Sequence, residues 1–339
     1  MIIVLKPNST PEQIAEVKQH IIDLGYDPRV ITGVERTVIG AVGDELSHRS
    51  LEALRGMGAI ENVVPIQKRY KLASREYHPE NTLVKIGRSR LGGKYFQMIA
   101  GPCAVESREQ VFQAASDLVK AGVRMFRGGV FKPRTSPYDF QGMGDAGLEL
   151  LAAVKADFGL DIVTEVVGVA QVERVAKVVD MIQIGARNCQ NYNLLEVVAG
   201  AGKPVLLKRG MAVTVEEWIS AAEYLLVHGC EDVVLCERGI RTFETATRNT
   251  LDLSAVAVAK SETYLPVIVD PSHAAGVRSL VAPLAKAAIA VGADGLLVEA
   301  HPHPLEALSD ASQQLPSDTF GQLMADLRGY VELAGKIMP

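Results

Sequence analysis

The spacing of apolar and polar residues divides the chain near residue 70. In the first part, alternating apolar residues predict four strands, MIIVLK, DPRVITG, RTVIGAVG and AIENVVPI. Apolar residues three and four positions apart predict two helices, TPEQIAEVKQHIIDLG and SHRSLEALRGMG, with Thr10 and Ser47 as N-caps and Gly25 as the stop of the first. The order β-α-β-β-α-β is typical of a ferredoxin-like domain, which we expect at residues 1–70.

The rest of the chain begins with a polar segment and then repeats one pattern. Residues 71–93 are rich in charge and Gly, and they predict a linker with one short strand near residues 82–86. From residue 94, apolar runs alternate with helical patterns, and the runs start near residues 94, 123, 160, 180, 203, 232, 265 and 295. Eight such repeats over residues 94–339 predict an α/β fold, a (β/α)8 TIM barrel. An open doubly wound sheet is the structural alternative.

Polar residues concentrate where these runs end, at the end of such a barrel that carries the chemistry. Any single charge there has a simple alternative as a solvated surface group. Cations follow four of the runs, and they are Arg127, Lys132, Arg134, Arg187, Lys208 and Arg238. Like charges in one opening repel unless anions neutralise them. At about two cations per anionic group, the set fits three phosphate or carboxylate groups.

A second set of residues combines a thiol, an imidazole and two carboxylates. Its members follow the first, seventh and eighth runs, and they are Cys103, His273, Glu299 and Asp310. These runs would be neighbours in a closed barrel, and the side chains are ligand types for a divalent transition metal such as Mn, Fe, Co or Zn. A buried inert thiol at Cys103 and a helix cap at Asp310 are the alternatives. The mixed ligands leave the metal open.

Two further motifs lack the context that their usual chemistry requires. Residues 142–147 match GxGxxG but follow a loop instead of a strand, so a dinucleotide site is not expected. His301 and His303 form an HxH pair like that of metal-dependent hydrolases, but they follow the eighth run instead of the first, and we interpret them as loop residues.

Composition narrows the classes of partner. The chain has 339 residues, 48% of them hydrophobic, and a formal charge of -5, which argues against nucleic acid or anionic lipid as partners. No secretory signal and no apolar run of membrane-spanning length is evident. The four cysteines form no CxxC pair and predict reduced thiols in a cytoplasmic protein.

The strand-end motifs together resemble one family. AGPCAVES, GGVFKPRTSP, TEV, IQIGARNCQNYNLL, LLKRGM, CERGIRTFE, VDPSHAAG and VEAHP occur in that order. The chain thus resembles the metal-dependent 3-deoxy-D-arabino-heptulosonate 7-phosphate (DAHP) synthases of the type I beta subtype, which carry an N-terminal ferredoxin-like domain. The resemblance covers essentially the whole chain. It implies condensation of phosphoenolpyruvate with erythrose 4-phosphate and water, the first step of the shikimate pathway to aromatic amino acids.

The resemblance also implies residue roles. Cys103, His273, Glu299 and Asp310 would be the metal ligands. Phosphoenolpyruvate would be held near the Ala186 backbone by Arg127, Lys132, Arg187, Lys208 and Arg238. Arg134 and Thr135 would bind the phosphate of erythrose 4-phosphate, and Asp270 would lie near its hydroxyls or carbonyl. The catalytic group would comprise Lys132, Cys103 and His273, with Lys132 or a metal-bound water as proton donor. The resemblance does not identify the group that activates water, and Glu165 is a candidate only by its position at the end of the third run.

Other functions remain open. The related 3-deoxy-D-manno-octulosonate 8-phosphate synthases use arabinose 5-phosphate and typically carry Asn within the segment equivalent to residues 132–134, where this chain has Lys-Pro-Arg. A non-catalytic phosphosugar or amino-acid sensor is a second alternative. For residues 1–70, the resemblance suggests feedback inhibition by tyrosine or phenylalanine in a homotetramer or dimer, and plain oligomerisation is the simpler reading.

Overall fold

The computed structural model describes residues 1–33, 36–43, 50–64, 69–134 and 136–339. These residues form two compact units, Met1–Arg69 and Tyr70–Pro339. Within the described part of the chain, every helix is too short or too polar to cross a membrane.

The first unit is one antiparallel sheet with a helix packed on it. The strands are β1 (Ile2–Leu5), β2 (Asp27–Thr32), β3 (Thr37–Val42) and β4 (Ile60–Val64), in the spatial order β2-β3-β1-β4, and the helix is α1 (Pro11–Asp23). Val17 and Ile21 of α1 join Ile3, Leu5 and Ile39 in the core of this unit. The ferredoxin-like prediction is confirmed.

The ends of α1 lie where the sequence predicts them. The Thr10 side chain accepts the backbone N–H of Gln13, and the Gln13 side chain accepts the backbone N–H of Thr10, so the first turn has a capping box. After the helix ends at Asp23, Gly25 has a φ of 101°, a conformation that glycine adopts without steric cost.

The second helical segment of this unit differs from the prediction. The described part is a short 3-10 helix, Leu51–Gly56, whose N-cap is Ser50, while Ser47 lies outside the described residues. Leu51 and Leu54 are both buried, and a spacing of three residues matches the 3.0-residue turn of a 3-10 helix. The two leucines therefore lie on the same side of this short 3-10 helix.

The second unit is a closed barrel of eight parallel strands surrounded by helices, as predicted. Its strands are β7 (Gln97–Gly101), β8 (Met125–Arg127), β9 (Asp161–Val166), β10 (Met181–Ile184), β11 (Val205–Lys208), β12 (Val233–Glu237), β13 (Val267–Val269) and β14 (Gly295–His301). The barrel closes because β14 pairs with both β13 and β7. The alternative prediction of an open doubly wound sheet is therefore wrong.

Helices follow the barrel strands, and most of them cover the outside of the barrel. They are α2 (Arg108–Lys120), α3 (Asp145–Phe158), α4 (Val172–Ala176), α5 (Tyr192–Ala199), α6 (Val215–Val227), α7 (Leu253–Glu262), α8 (Pro271–Ala275), α9 (Arg278–Ala290) and α10 (Ser317–Leu333). The strand residues that face these helices belong to one large apolar core, which includes Leu207 and Val298 from the strands and Trp218 and Phe320 from the helices.

Residues 71–93 belong to this second unit. They include two strands, β5 (Val84–Ile86) and β6 (Ser89–Leu91), where the sequence predicts a linker with one short strand. Val84, Ile86 and Leu91 join the apolar cluster inside the barrel, and the backbone N–H groups of Arg88 and Ser89 donate to Asp161 at the start of β9. The hairpin thus closes the N-terminal end of the barrel.

The strand period explains why the other end is polar. Successive side chains of a strand alternate between its faces, so residues two apart share a face. The lower interior is apolar, with Met125, Val163, Met181, Leu206, Ile268 and Leu297. Two residues further along each of these segments stand Arg127, Glu165, Gln183, Lys208, Asp270 and Glu299. The polar layer therefore forms directly above the packed interior.

Candidate active site

A polar cavity of about 190 Å³ opens at the C-terminal ends of the barrel strands. Its wall contains six cations, namely Lys132, Arg134, Arg187, Lys208, Arg238 and Arg248, and three carboxylates, namely Asp139, Glu165 and Asp310. The surplus of cations favours anionic ligands, since several like charges in one cavity repel each other without them. Five of the six cations predicted from sequence lie in this wall.

The sixth predicted cation, Arg127, lies behind the wall. Its guanidinium is 4% exposed, and its Nη1 donates to Glu299 Oε1 at 2.9 Å and to the Pro102 carbonyl at 2.7 Å. Within the described part of the chain, its buried Nε has no hydrogen-bond partner. Arg127 therefore orients Glu299 and keeps one buried donor for a further acceptor.

The four predicted metal ligands come together beside the cavity, whose wall includes His273 and Asp310. Donor atoms of Cys103, Glu299 and Asp310 all lie within 4.8 Å of one another. His273 Nε2 is 3.4 Å from Glu299 Oε1 and 3.6 Å from Asp310 Oδ2. One thiol, one imidazole and two carboxylates at this spacing suit a divalent transition metal, so the donor set fits.

Asp270 fixes the orientation of the His273 ring. It precedes the short helix α8, accepts the backbone N–H of His273 at 2.9 Å and lies 2.7 Å from His273 Nδ1. An Nδ1–H bonded to a carboxylate leaves Nε2 free to bind a metal. Lys208 Nζ also pairs with Asp270. Burial alone would raise the pKa of Asp270, but His273 and Lys208 outweigh burial and lower this pKa well below its usual value.

Burial and neighbouring charges both change the pKa values of the predicted metal ligands. Burial raises the pKa of the Cys103 thiol to about 11, and the Glu299 carboxylate adds to the rise. Burial would also raise the pKa of Glu299, but His273 and Arg127 lower it overall. The protein alone therefore holds Cys103 as a thiol beside an ionised Glu299, and a cation would favour the thiolate.

Lys132 connects the cavity with the ligand cluster. Its Nζ donates to the Cys103 carbonyl at 3.0 Å and lies 3.0 Å from Cys103 Sγ. Burial opposes its charge, but the pKa of Lys132 is raised overall because Cys103 and Glu299 are near. A charged ammonium at the edge of the cluster can hold an anion or supply a proton.

The loop after β8 also places Arg134 in the cavity wall. Arg134 Nε donates to Asp139 Oδ2 at 3.4 Å, and its side chain is 21% exposed. Thr135, predicted to act with it, lies outside the described residues. Ala186 and Arg187 belong to a 3-10 turn after β10, where both line the cavity.

Glu165 lies low in the wall at the end of β9. Its Oε2 accepts a hydrogen bond from Gln183 Nε2 at 2.9 Å. A Cβ at residue 185 would come within 1.9 Å of Glu165 Oε1, so a larger residue there would displace the Glu165 carboxylate. Gly185 thus lets the Glu165 carboxylate reach the cavity.

Sequence reasoning missed two residues that contact the cluster. Arg248 Nη1 donates to Asp310 Oδ1 at 3.2 Å, and Gln313 Nε2 donates to Glu299 Oε2 at 2.7 Å. Burial would raise the pKa of Asp310, but His273 and Arg248 lower it to about 2. Arg248 lies in a long irregular loop, and no sequence pattern there marks it as a site residue. Gln313 follows Asp310 by three residues, a spacing that could have suggested contact.

Comparisons with known proteins agree on a family. Residues 79–333 match the model of the DAHP synthetase I family, and residues 1–68 match the DAHP synthase ferredoxin-like domain. A phospho-2-dehydro-3-deoxyheptonate aldolase of Thermotoga maritima is 48% identical over 99% of both chains. A crystal structure of the aldolase of that name and organism has a TM-score of 0.94, 46% identity, and coverage of 100% of this chain and 99% of that one.

Two further proteins match a smaller share of the chain. A 2-dehydro-3-deoxyphosphooctonate aldolase of Aromatoleum aromaticum is 32% identical over 71% of this chain and 96% of its own length. A truncated 3-deoxy-D-arabino-heptulosonate 7-phosphate synthase of Thermotoga maritima has a TM-score of 0.75 and 46% identity, and it covers 80% of this chain and 100% of its own.

Proposed function

The chain belongs to the DAHP synthetase I family, and we propose that it condenses phosphoenolpyruvate with erythrose 4-phosphate and water to give DAHP and phosphate. One observation carries the proposal, namely a cation-rich cavity that adjoins the donor set of Cys103, His273, Glu299 and Asp310. The cations of the cavity suit two phosphorylated substrates, and the donor set would hold a divalent metal.

Lys208, Arg238 and Arg187 would bind phosphoenolpyruvate. Lys208 and Arg238 are buried at neighbouring strand ends, and Arg187 reaches the cavity from the 3-10 turn that also exposes the Ala186 backbone. Guanidinium groups can hold phosphate or carboxylate oxygens with paired hydrogen bonds. Arg127 would contribute its unpaired buried Nε from behind.

Cys103, His273, Glu299 and Asp310 would hold the divalent ion. When bound, such an ion supplies Lewis-acid polarisation of the aldehyde carbonyl. Asp270 would orient His273 and lie close to the aldehyde substrate, since it contacts the imidazole at the edge of the cavity. The Lys132 ammonium is close enough to the cluster to serve the same reacting centre.

In the carbon–carbon step, carbon three of phosphoenolpyruvate attacks the aldehyde carbon of erythrose 4-phosphate. Lys132 would give a proton to the oxygen that becomes an alkoxide. Water then adds at carbon two, and the carbon–oxygen bond to phosphate breaks. The cations of the wall stabilise the charge that develops on the departing phosphate. Glu165 reaches the cavity as a carboxylate and is our candidate for accepting the proton of the water.

The 3-deoxy-D-manno-octulosonate 8-phosphate synthase reaction is the alternative. Its supporting observation is the 32% identity of an octulosonate aldolase over the barrel. Two observations favour the heptulosonate enzyme. The heptulosonate aldolase matches 99% of this chain, against 71%, and residues 132–134 read Lys-Pro-Arg without the Asn of the other class.

Arg134→Ala is expected to weaken binding of the sugar phosphate selectively. Loss of a charged hydrogen-bond donor costs about 1.5–3 kcal/mol, which corresponds to about a ten- to hundredfold rise in the Michaelis constant for erythrose 4-phosphate. The Michaelis constant for phosphoenolpyruvate should change little. Steady-state kinetics with each substrate varied in turn measure both values.

A matched control for Arg134→Ala is Lys177→Ala, which removes an exposed cation that pairs with Glu173 at the end of α4. It should leave both constants unchanged. Equal rises for the two substrates in Arg134→Ala would contradict the assignment of Arg134 to the sugar phosphate.

Regulation through residues 1–70 is a further part of the proposal. Residues 1–68 match the DAHP synthase ferredoxin-like domain, and we propose that this domain is a regulatory module that binds tyrosine or phenylalanine in a homotetramer or dimer. An effector must bind the inhibited state more tightly than the active one. Activity with each amino acid, together with sedimentation velocity, tests inhibition and assembly.

A further inference from the structure

Glu106 joins three segments that carry proposed metal ligands. It follows Cys103 by three residues in the loop after β7. Its Oε1 accepts the backbone N–H of Leu308 at 3.0 Å, two residues before Asp310. Its Oε2 lies 3.5 Å from Nε2 of His301, two residues after Glu299. One carboxylate therefore contacts the chain close to each of three ligands.

Glu106 is a largely buried carboxylate outside the proposed active site. Its side chain is only 8% exposed, and it is not part of the cavity wall described above. A buried carboxylate is costly unless charges or hydrogen bonds compensate it. The Leu308 N–H supplies a hydrogen bond, and the His301 ring edge lies beside the carboxylate, so Glu106 contacts both neighbouring segments.

The hydrogen bonding of the His301 ring determines which nitrogen faces Glu106. Predicted from sequence as a loop residue, His301 is the last residue of β14 and is 3% exposed. Its Nδ1 accepts the backbone N–H of His303 at 2.9 Å, so in the neutral ring the proton is on Nε2. Within the described residues, this buried Nε2 has no hydrogen-bond partner, and the Glu106 carboxylate is beside it. The arrangement suits a donor facing a carboxylate and does not suit a metal.

Two glutamines hold the same segments from another direction. The backbone N–H of Cys103 donates to Gln314 Oε1 at 2.9 Å, and Gln313 contacts Glu299. Asp310 itself has a φ of 51°, in the left-handed region that Asp adopts only occasionally. Because two residues of chain absorb little displacement, movement of Leu308 would carry Asp310 with it.

We propose that Glu106 is a positioning residue that sets the spacing of Cys103, Glu299 and Asp310 through Leu308 and His301. This rests on the proposed function, since the spacing matters for the ion that those residues would hold. Partners of metal ligands typically change metal affinity by about ten- to a hundredfold when they are removed. With the glutamines still in place, loss of Glu106 should weaken binding within that range without abolishing it.

The test uses Co²⁺ alone with the full chain, in the absence of substrates. Glu106→Ala removes both contacts, Glu106→Asp keeps the charge but withdraws it from both partners, and Glu106→Gln keeps an acceptor for Leu308. Glu109→Ala is the matched control, because Glu109 is an exposed glutamate three residues away. The dissociation constant is measured by competition with a chromogenic chelator, and the thiolate-to-cobalt charge-transfer band reports the contact with Cys103.

We expect the dissociation constant to rise about ten- to a hundredfold in Glu106→Ala and Glu106→Asp, with a weaker band, a smaller rise in Glu106→Gln, and no change in Glu109→Ala. If Glu106→Ala does not fold, Glu106→Asp decides. Wild-type affinity and an unaltered band in folded Glu106→Asp would overturn the positioning role while leaving the proposed function intact. A wild-type chain without a thiolate band would instead overturn the metal site itself, and the positioning role with it.

Discussion

Cys103→Ser is expected to lower kcat/KM with phosphoenolpyruvate and erythrose 4-phosphate by about a thousandfold, because Lewis-acid polarisation contributes several kcal/mol to such reactions. The Cys103 thiol is fully buried and shares the cluster with Glu299 and Asp310. Serine keeps the volume almost unchanged but offers a hydroxyl, which is a far weaker ligand than a thiolate for a divalent transition metal. Activity measured against Mn²⁺ concentration checks the loss.

The control for Cys103→Ser is the same substitution at Cys230. Cys230 is also buried, but its thiol faces the carbonyls of Lys203 and Asp232, away from the cavity. In the wild type and in Cys230→Ser, added Mn²⁺ should raise the melting temperature, since a ligand of the native state stabilises it. Cys103→Ser should fold with little response to Mn²⁺. Undiminished turnover in folded Cys103→Ser would contradict the metal assignment.

Lys132→Met is expected to lower kcat by about a hundred- to ten-thousandfold, the range for loss of a positioned proton donor. Methionine keeps the apolar stem of the side chain and removes the ammonium that lies 3.0 Å from Cys103 Sγ. Lys132→Arg should not restore the rate, because a guanidinium does not release its proton in this pH range. Single-turnover kinetics at saturating substrates check the chemical step.

The control for Lys132→Met is Lys177→Met, which removes an exposed ammonium on the outside of the barrel. A Lys132→Met variant with normal kcat and a raised Michaelis constant for phosphoenolpyruvate would assign Lys132 to binding alone. A proton donor other than Lys132, such as a metal-bound water, would then be required.

The barrel could be predicted from sequence because strand and helix periods differ along its whole length. Eight apolar runs at regular intervals leave few topologies, and the two-residue period places Arg127, Lys208 and Glu299 on the inner face. The first helix was equally clear, since Thr10 and Gly25 mark its ends. These features depend on residues that are close together along the chain, so their pattern can be recognised in the sequence.

Other features depend on distant residues. Arg127 was predicted in the ring of cations, but its pairing with Glu299 on another strand holds it behind the cavity wall. Arg248 reaches Asp310 only because an irregular loop folds back across the barrel mouth. Arg209 follows Lys208 directly, yet Glu237 and Asp252 neutralise it elsewhere. Which charges face each other across the barrel cannot be read from spacing along the chain.

The second helical segment and residues 71–93 differ for a related reason. The segment 51–56 buries only two leucines, and a 3-10 turn is sufficient for them. The segment 84–91 is short, and Gly87 interrupts the spacing of its three buried apolar residues, so the sequence indicated only one strand. Their burial follows from the open end of the barrel, which needs a cover.

The most direct test of the central claim is phosphate release from phosphoenolpyruvate in the presence of Mn²⁺, with erythrose 4-phosphate compared with arabinose 5-phosphate, before and after a chelator. We predict turnover with erythrose 4-phosphate, little with arabinose 5-phosphate, and loss of activity on chelation that added Mn²⁺ reverses. Preference for arabinose 5-phosphate would identify an octulosonate 8-phosphate synthase instead. No release with either sugar phosphate would contradict a catalytic role and favour a sensor.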